Sequence, residues 1–196
     1  MLAAASTLCA APVLRSADLK ITITSPTSCD VTIALAIEGG SDIDHRIESF
    51  EGSRIELAAI RGARQVGDVT AIGRSQLLVL RPDAGSYEFR YRAVQPPGRA
   101  DRCPIWLPAV PTDGRSRSVH LEVDLPAATT PGTSMPAFTW TAAHGAVTLG
   151  HLPAVVRVPY TREGEARGWG IDAMMDAVAM AVFAVATALW TWRARR

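Results

Sequence analysis

Apolar residues return at every second position along much of this chain. Leu19, Ile21 and Ile23 alternate with Lys20, Thr22 and Thr24, and Val31, Ile33, Leu35 and Ile37 follow, ended by Gly39-Gly40. Tyr87, Phe89 and Tyr91 alternate with Glu88, Arg90 and Arg92. Val119, Leu121, Val123 and Leu125 alternate with His120, Glu122 and Asp124. A period of two lines one face of a strand with apolar side chains and leaves the other polar, so each run predicts a half-buried strand. Shorter candidates cover residues 66–72, 76–81, 138–141, 147–149 and 155–158. Residues 55–60 make another, although Ala58-Ala59 interrupts the alternation and leaves a short helix open. About nine short strands with turn residues between them predict an antiparallel sandwich.

Three stretches break the period. Residues 95–114 hold five of the thirteen prolines, which removes backbone donors and excludes regular internal strands. Within them Ile105, Trp106 and Leu107 are apolar, so the stretch either covers the core or offers a partner-contact loop. Residues 126–136, PAATTPGTSMP, read as a linker-like crossing. Residues 171–192 are almost wholly apolar, and as a helix they rise roughly 33 Å, enough to span a hydrocarbon core.

That last run has the anchors of a membrane span. Trp169 stands at one end and Trp190 and Trp192 at the other, and Arg193, Arg195 and Arg196 favour a cytoplasmic C-terminus. Ala173, Ala177, Ala181, Ala184 and Ala188 follow one helix face, where small side chains let a second helix approach. Asp176 lies about a turn inside the span, where a carboxylate calls for a polar partner on a neighbouring subunit. The segments expected are an apolar, signal-like stretch at 1–17, a periplasmic sandwich at 18–160 and a juxtamembrane linker at 161–170. A transmembrane helix at 171–192 and a basic tail at 193–196 complete the chain.

Composition narrows the function classes. Residues 16–168 carry 16 Lys and Arg against 17 Asp and Glu, a near-neutral head that attracts neither nucleic acid nor an anionic surface. Lysine occurs once against nineteen arginines and Asn is absent, a usage associated with bacterial proteins from GC-rich genomes. The lack of Asn also removes N-glycosylation. Cys29 and Cys103 are the cysteines beyond Cys9, with no C-x-x-C. In an oxidising periplasm they are a candidate disulfide, and spacing alone leaves the pairing open.

The stretch Asp83-Ala84-Gly85-Ser86-Tyr87-Glu88-Phe89 resembles the D-x-G-x-Y-x-C pattern ahead of strand F in immunoglobulin-like domains. The resemblance covers seven residues and implies a tyrosine corner, with the Tyr87 hydroxyl bonded back to upstream backbone. Phe89 stands where the family carries a cysteine, so the usual inter-sheet disulfide is not implied. The fold class expected is mainly β: an antiparallel immunoglobulin-like sandwich head plus one C-terminal transmembrane α-helix.

Motifs for chemistry are sparse. His45, His120, His144 and His151 form no H-x-H or H-E-x-x-H, although His144 and His151 flank one predicted strand. Asp42, Asp44 and Glu48 suggest a calcium loop, but Arg46 and Ile47 occupy its fifth and sixth positions, so a solvated turn or short helix is expected. G-x-S-x-G, S-x-x-K and phosphate cradles are absent. The expectation is therefore a non-catalytic accessory subunit of a bacterial membrane complex, photosynthetic or respiratory, in the inner membrane. Its partners would be integral membrane subunits and lipid, with no catalytic residue, metal, cofactor, nucleic acid or small-molecule substrate. The alternatives are a membrane-anchored periplasmic module that binds a glycan, peptide or protein, with Trp106 or Trp140 as a stacking platform, and an anchored hydrolase.

Overall fold

A computed structural model of the chain describes residues 11–114 and 117–162. The strands are β1 (Val13–Ser25), β2 (Ser28–Glu38), β3 (Ile43–Glu48), β4 (Arg54–Arg61), β5 (Ala63–Gln65) and β6 (Thr70–Ile72). After these come β7 (Ser75–Pro82), β8 (Ser86–Val94), β9 (Arg102–Pro104), β10 (Leu107–Pro108) and β11 (Val119–Asp124). The last are β12 (Thr129–Pro131), β13 (Thr139–Thr141), β14 (His144–Leu149), β15 (Val155–Arg157) and β16 (Tyr160–Arg162). Among the described residues the helical structure is one 3-10 turn, Pro97–Arg99. The chain divides into two units, 1–160 and 161–196, and of the second only Thr161 and Arg162 are described.

The fold is mainly β and sandwich-like. A seven-stranded sheet runs β13-β14-β11-β1-β2-β8-β4, and a smaller one runs β10-β3-β7-β5 with β6 also on β7. The strongest alternation in the sequence builds the middle of the large sheet. Leu19, Ile21, Val31, Ile33, Leu35, Phe89, Tyr91, Leu121 and Val123 are buried on it. Each fully buried side chain of this size contributes roughly 1.5–3 kcal/mol relative to exposure. One pairing departs from the antiparallel expectation: β1 and β11 are parallel, with Ala17 opposite Val119 and Thr22 opposite Asp124. The Ala58-Ala59 interruption is a β-bulge in β4, between the pairs Leu57–Tyr91 and Ala59–Arg90, and not a helix.

Residues 42–48 correct the expectation of a turn or short helix. Residues 43–48 of this stretch form β3, with Ile43, His45 and Ile47 buried and Asp44, Arg46 and Glu48 exposed. The alternation was there, but its central inward position is a histidine. Asp42 flanks the strand and is bound by Arg81 at 2.7 Å, which holds its carboxyl below the usual range. At the N-terminal side β1 begins at Val13, so residues 13–17 of the expected signal-like segment belong to the sheet. Among the described residues no helix is long and apolar enough to cross a membrane. The expected span at 171–192 lies outside them, with Ala173, Asp176, Ala177, Ala181, Ala184, Ala188, the Trp and Arg anchors, and residues 1–10.

Tyr87 also corrects an expectation. Its hydroxyl does not return to upstream backbone as a tyrosine corner; it bonds His45 Nε2 at 2.8 Å, joining β8 to β3 across the core. The His45 Nδ1 lies 3.0 Å from the Ile43 carbonyl, which can only accept, so Nδ1 carries the proton and Nε2 accepts from Tyr87. The imidazole packs edge-on against Phe89, with centroids 5.2 Å apart. His45 is fully buried, and desolvation drives its pKa down from 6.5 to about 4 against the opposing pull of the Ile43 and Leu78 carbonyls. Burial pushes the Tyr87 hydroxyl up, so it stays a donor.

Two predictions follow from these contacts. The unfolded chain protonates its histidine near pH 6.5 and the folded one only near 4, so protons favour the unfolded state in between. Stability present above pH 6.5 is lost as pH falls to about 4, by about 3 kcal/mol. Urea unfolding across this window should show the loss in the native chain and a nearly flat profile in His45→Gln; equal slopes would refute the assignment. The second concerns Ala142, at φ 52° in the two-residue turn between paired Thr141 and His144. A left-handed alanine costs about 1 kcal/mol, so Ala142→Gly should raise the urea midpoint by that equivalent with an unchanged m-value.

Candidate functional site

A groove of about 650 Å³ opens where three connections meet, lined by Glu48, Phe50, Glu51, Arg74, Pro96 and Arg99 among others. That volume is in the range of ligand clefts. The first connection is the turn after β3. Ser53 N–H donates to the Phe50 carbonyl at 2.9 Å, and Gly52 sits at φ +81°, the third-position geometry of a type II turn that favours glycine. The second is the turn before β7: both the Ser49 amide and its hydroxyl donate to the Arg74 carbonyl at 2.9 Å. The third is the 3-10 turn Pro97–Arg99, which starts on a proline, as first helical positions tolerate. Gln95 fixes its root, with its amide on the Thr27 carbonyl at 2.7 Å and its Oε1 accepting from Ser53 Oγ at 2.6 Å.

One ring of the groove, Phe50, gathers two arginines, Arg99 of its lining and Arg102 beside it. The Arg99 guanidinium carbon lies 5.3 Å from the Phe50 ring centroid and that of Arg102 lies 5.8 Å from it, both in cation–π range. Several arginines of the sheets hold a carboxylate: Arg15 holds Glu38, Arg81 holds Asp42, Arg92 holds Asp30 and Arg157 holds Asp101. Arg74, Arg99 and Arg102 form no such pair among the described residues. Glu48 and Glu51 line the same groove and are exposed. The arrangement offers fixed guanidinium donors beside two carboxylates, a surface suited to binding an anionic group. Sequence reasoning missed it; the available signal was Phe50 between two acidic residues and three arginines near turn residues, which reads as an ordinary polar loop.

The residues singled out from the sequence lie elsewhere. Ile105 and Trp106 are each 1 % exposed and Leu107 is half-buried, so this stretch covers the core and is not an exposed contact loop. Trp106 packs edge-on against Tyr91, whose hydroxyl donates to the Pro104 carbonyl at 2.8 Å. Trp140 is half-buried over Gly145, where an added Cβ would stand 2.8 Å from the indole, so its face is in use for packing. His144 does not meet His151; its Nδ1 lies 2.7 Å from Asp124 Oδ1, and this bond, with Lys20, holds the Asp124 carboxyl below the usual range. His120 is beside Glu122 at 3.2 Å and His151 is exposed. Cys29 and Cys103 are buried as free thiols with their sulfurs 2.8 Å apart. Among the described residues no three or more His, Cys, Asp or Glu are grouped to hold a metal ion.

No protein-family model and no curated protein matches the sequence. Solved structures do match in shape. A leukotriene A4 hydrolase from Saccharomyces cerevisiae aligns at TM-score 0.46 and 9% identity, over 76% of this chain and 29% of that one. An M1 zinc metallopeptidase from Deinococcus radiodurans aligns at TM-score 0.39 and 16% identity, over 76% of this chain and 42% of its own. The same enzyme in a mutant bound to a Tyr-Ser-Ala substrate gives 0.39 and 14%, over 84% and 52%. This chain thus spans 29% to 52% of the length of these three structures. These neighbours carry the names of hydrolytic enzymes, against the expectation of a non-catalytic accessory subunit of a photosynthetic or respiratory complex, which is not retained. The likeness is confined to a domain at low identity, and at these scores it assigns this chain neither a reaction nor a substrate.

Proposed function

We propose that the chain is a ligand-binding β-sandwich module whose groove at Phe50 takes a carboxylate-bearing peptide. The observation that carries this reading is the pair of guanidiniums, Arg99 and Arg102, held against one aromatic ring with no carboxylate partner among the described residues. A planar guanidinium presents paired N–H donors that match a carboxylate, and the ring limits the rotamer entropy lost on binding. Glu48 and Glu51 supply the opposite charge for an amine or a basic side chain of the same peptide. A glycan is the weaker fit, because sugar stacking needs a free aromatic face and the guanidiniums lie within contact range of Phe50. In this reading the run at 171–192 anchors the module in the inner membrane and the groove works in the periplasm.

Fluorescence anisotropy on the full chain in mild detergent tests it, with a labelled Asp-containing hexapeptide and its amide-capped, Asn-substituted counterpart. The acidic peptide should bind saturably and the neutral one at least tenfold more weakly. Arg99→Ala and Arg102→Ala should each cost about 1.5–3 kcal/mol, tenfold or more in Kd, and raising salt should weaken binding. Absence of saturable binding, or equal affinity in the double variant, would overturn the proposal.

A further inference from the structure

Cys29 and Cys103 are 74 residues apart in sequence, and their sulfurs lie 2.8 Å apart. They are 3 % and 2 % exposed. Cys29 belongs to β2, paired with Ile23 of β1 and Ala93 of β8, in the middle of the large sheet. Cys103 is the central residue of β9, which among the described residues pairs with β15, through Val156, and stands outside the large sheet's hydrogen bonds. The two sulfurs therefore meet where the proline-rich stretch crosses the sheet. A cavity of about 10 Å³ beside them, with Gln95, Arg102 and Val156 in its wall, is the size of about one water. The Gln95 side-chain nitrogen there is buried without a hydrogen-bond partner among the described residues.

We propose that Cys29 and Cys103 are a disulfide-forming pair whose closure straps residues 95–103, the stretch that carries Arg99 and Arg102, onto β2. The oxidant is an external disulfide, small-molecule or protein. One cysteine thiolate attacks it and releases a thiolate; the second cysteine sulfur then attacks the mixed disulfide and releases the other. One S–S bond forms between Cys29 and Cys103, two S–H bonds break with loss of two protons, and two electrons reduce the external disulfide to two thiols. Burial pushes the Cys103 thiol well above its ordinary range, so thiolate is scarce in the closed fold. Exchange then proceeds through local opening of the β9–β15 ribbon or during folding. With the bond formed, both ends of the stretch are held: Gln95 by its existing hydrogen bond to the Thr27 carbonyl, and residue 103 through sulfur.

Purified full chain, held in oxidised glutathione or in a phosphine reductant, tests this without any ligand. Maleimide labelling in guanidinium followed by intact mass should give three adducts for the reduced chain and none at Cys29 or Cys103 for the oxidised chain, in which Cys9 carries either one maleimide or one glutathione as a mixed disulfide. A non-reduced peptide map should join Cys29 to Cys103. Oxidation should raise Tm by about 10 °C and slow tryptic cleavage after Arg99 at least tenfold. Cys29→Ala and Cys103→Ser should cut at the reduced rate in both buffers. Three adducts after oxidation, or a link through Cys9, would refute the pair; a Cys29–Cys103 bond with unchanged cleavage after Arg99 would refute the strap. Peptide affinity at the groove is a separate measurement, so failure of that reading leaves this result standing.

Discussion

One face of the seven-stranded sheet is almost purely aliphatic and aromatic, and it cannot face water. Every other part of the head is placed by the need to cover it. Ile43, Ile47, Leu78 and Leu80 of the smaller sheet close one part, Ile105 and Trp106 another, and Val156 and Val158 a third, all at 2 % exposure or less. The hydrophobic term is non-directional and fixes only that this face be covered. Direction comes from the polar contacts inside the cover. His45 bonds Tyr87 across the two sheets and Tyr91 bonds the Pro104 carbonyl, so two of these three covering segments are each registered by one buried side-chain hydrogen bond. Such bonds contribute little net stability when made and cost more when one partner is removed, so they specify position.

The groove is a consequence of how that cover ends. The turn after β3, the turn before β7 and the stretch leaving β8 all run outward from buried positions, and they meet at Phe50. Their inner roots are tied to one another: Ser49 to the Arg74 carbonyl, Ser53 to Gln95, and Gln95 to Thr27. Their outer ends carry charge into water. A site built this way combines loop chemistry with the rigidity of the sheets beneath, which is how binding residues are commonly held.

How much of this could be read from the sequence depended on whether a residue's type matched its burial. β1, β2, β8 and β11 were legible because their inward positions are Leu, Ile, Val, Phe and Tyr. β3 was not, because His45 at its centre reads as polar while it is buried in a neutral form. β9 and β10 were hidden by Pro104 and Pro108, which edge ribbons accommodate and internal strands do not. The Tyr87 motif pointed correctly to a buried tyrosine at the start of a strand and wrongly to its partner. The groove was illegible because its residues come from positions 48–51, 74–75 and 96–99, with Arg102 beside them, and a contact set of that separation leaves no local period.

The same stretch that covers the core also carries Arg99 and Arg102, so under the proposed reading stability and recognition are coupled. Phe50 draws Arg99 and Arg102 together from the outside, while Cys103, Pro104, Ile105 and Trp106 draw the chain inward immediately after them. A peptide carboxylate that engaged both guanidiniums would act on a segment already committed at its buried end. The ordering cost of such binding falls mainly on residues 96–102, and whatever stiffens them beforehand lowers it. The position of the two arginines is therefore set from the core outward, by residues that lie outside the groove.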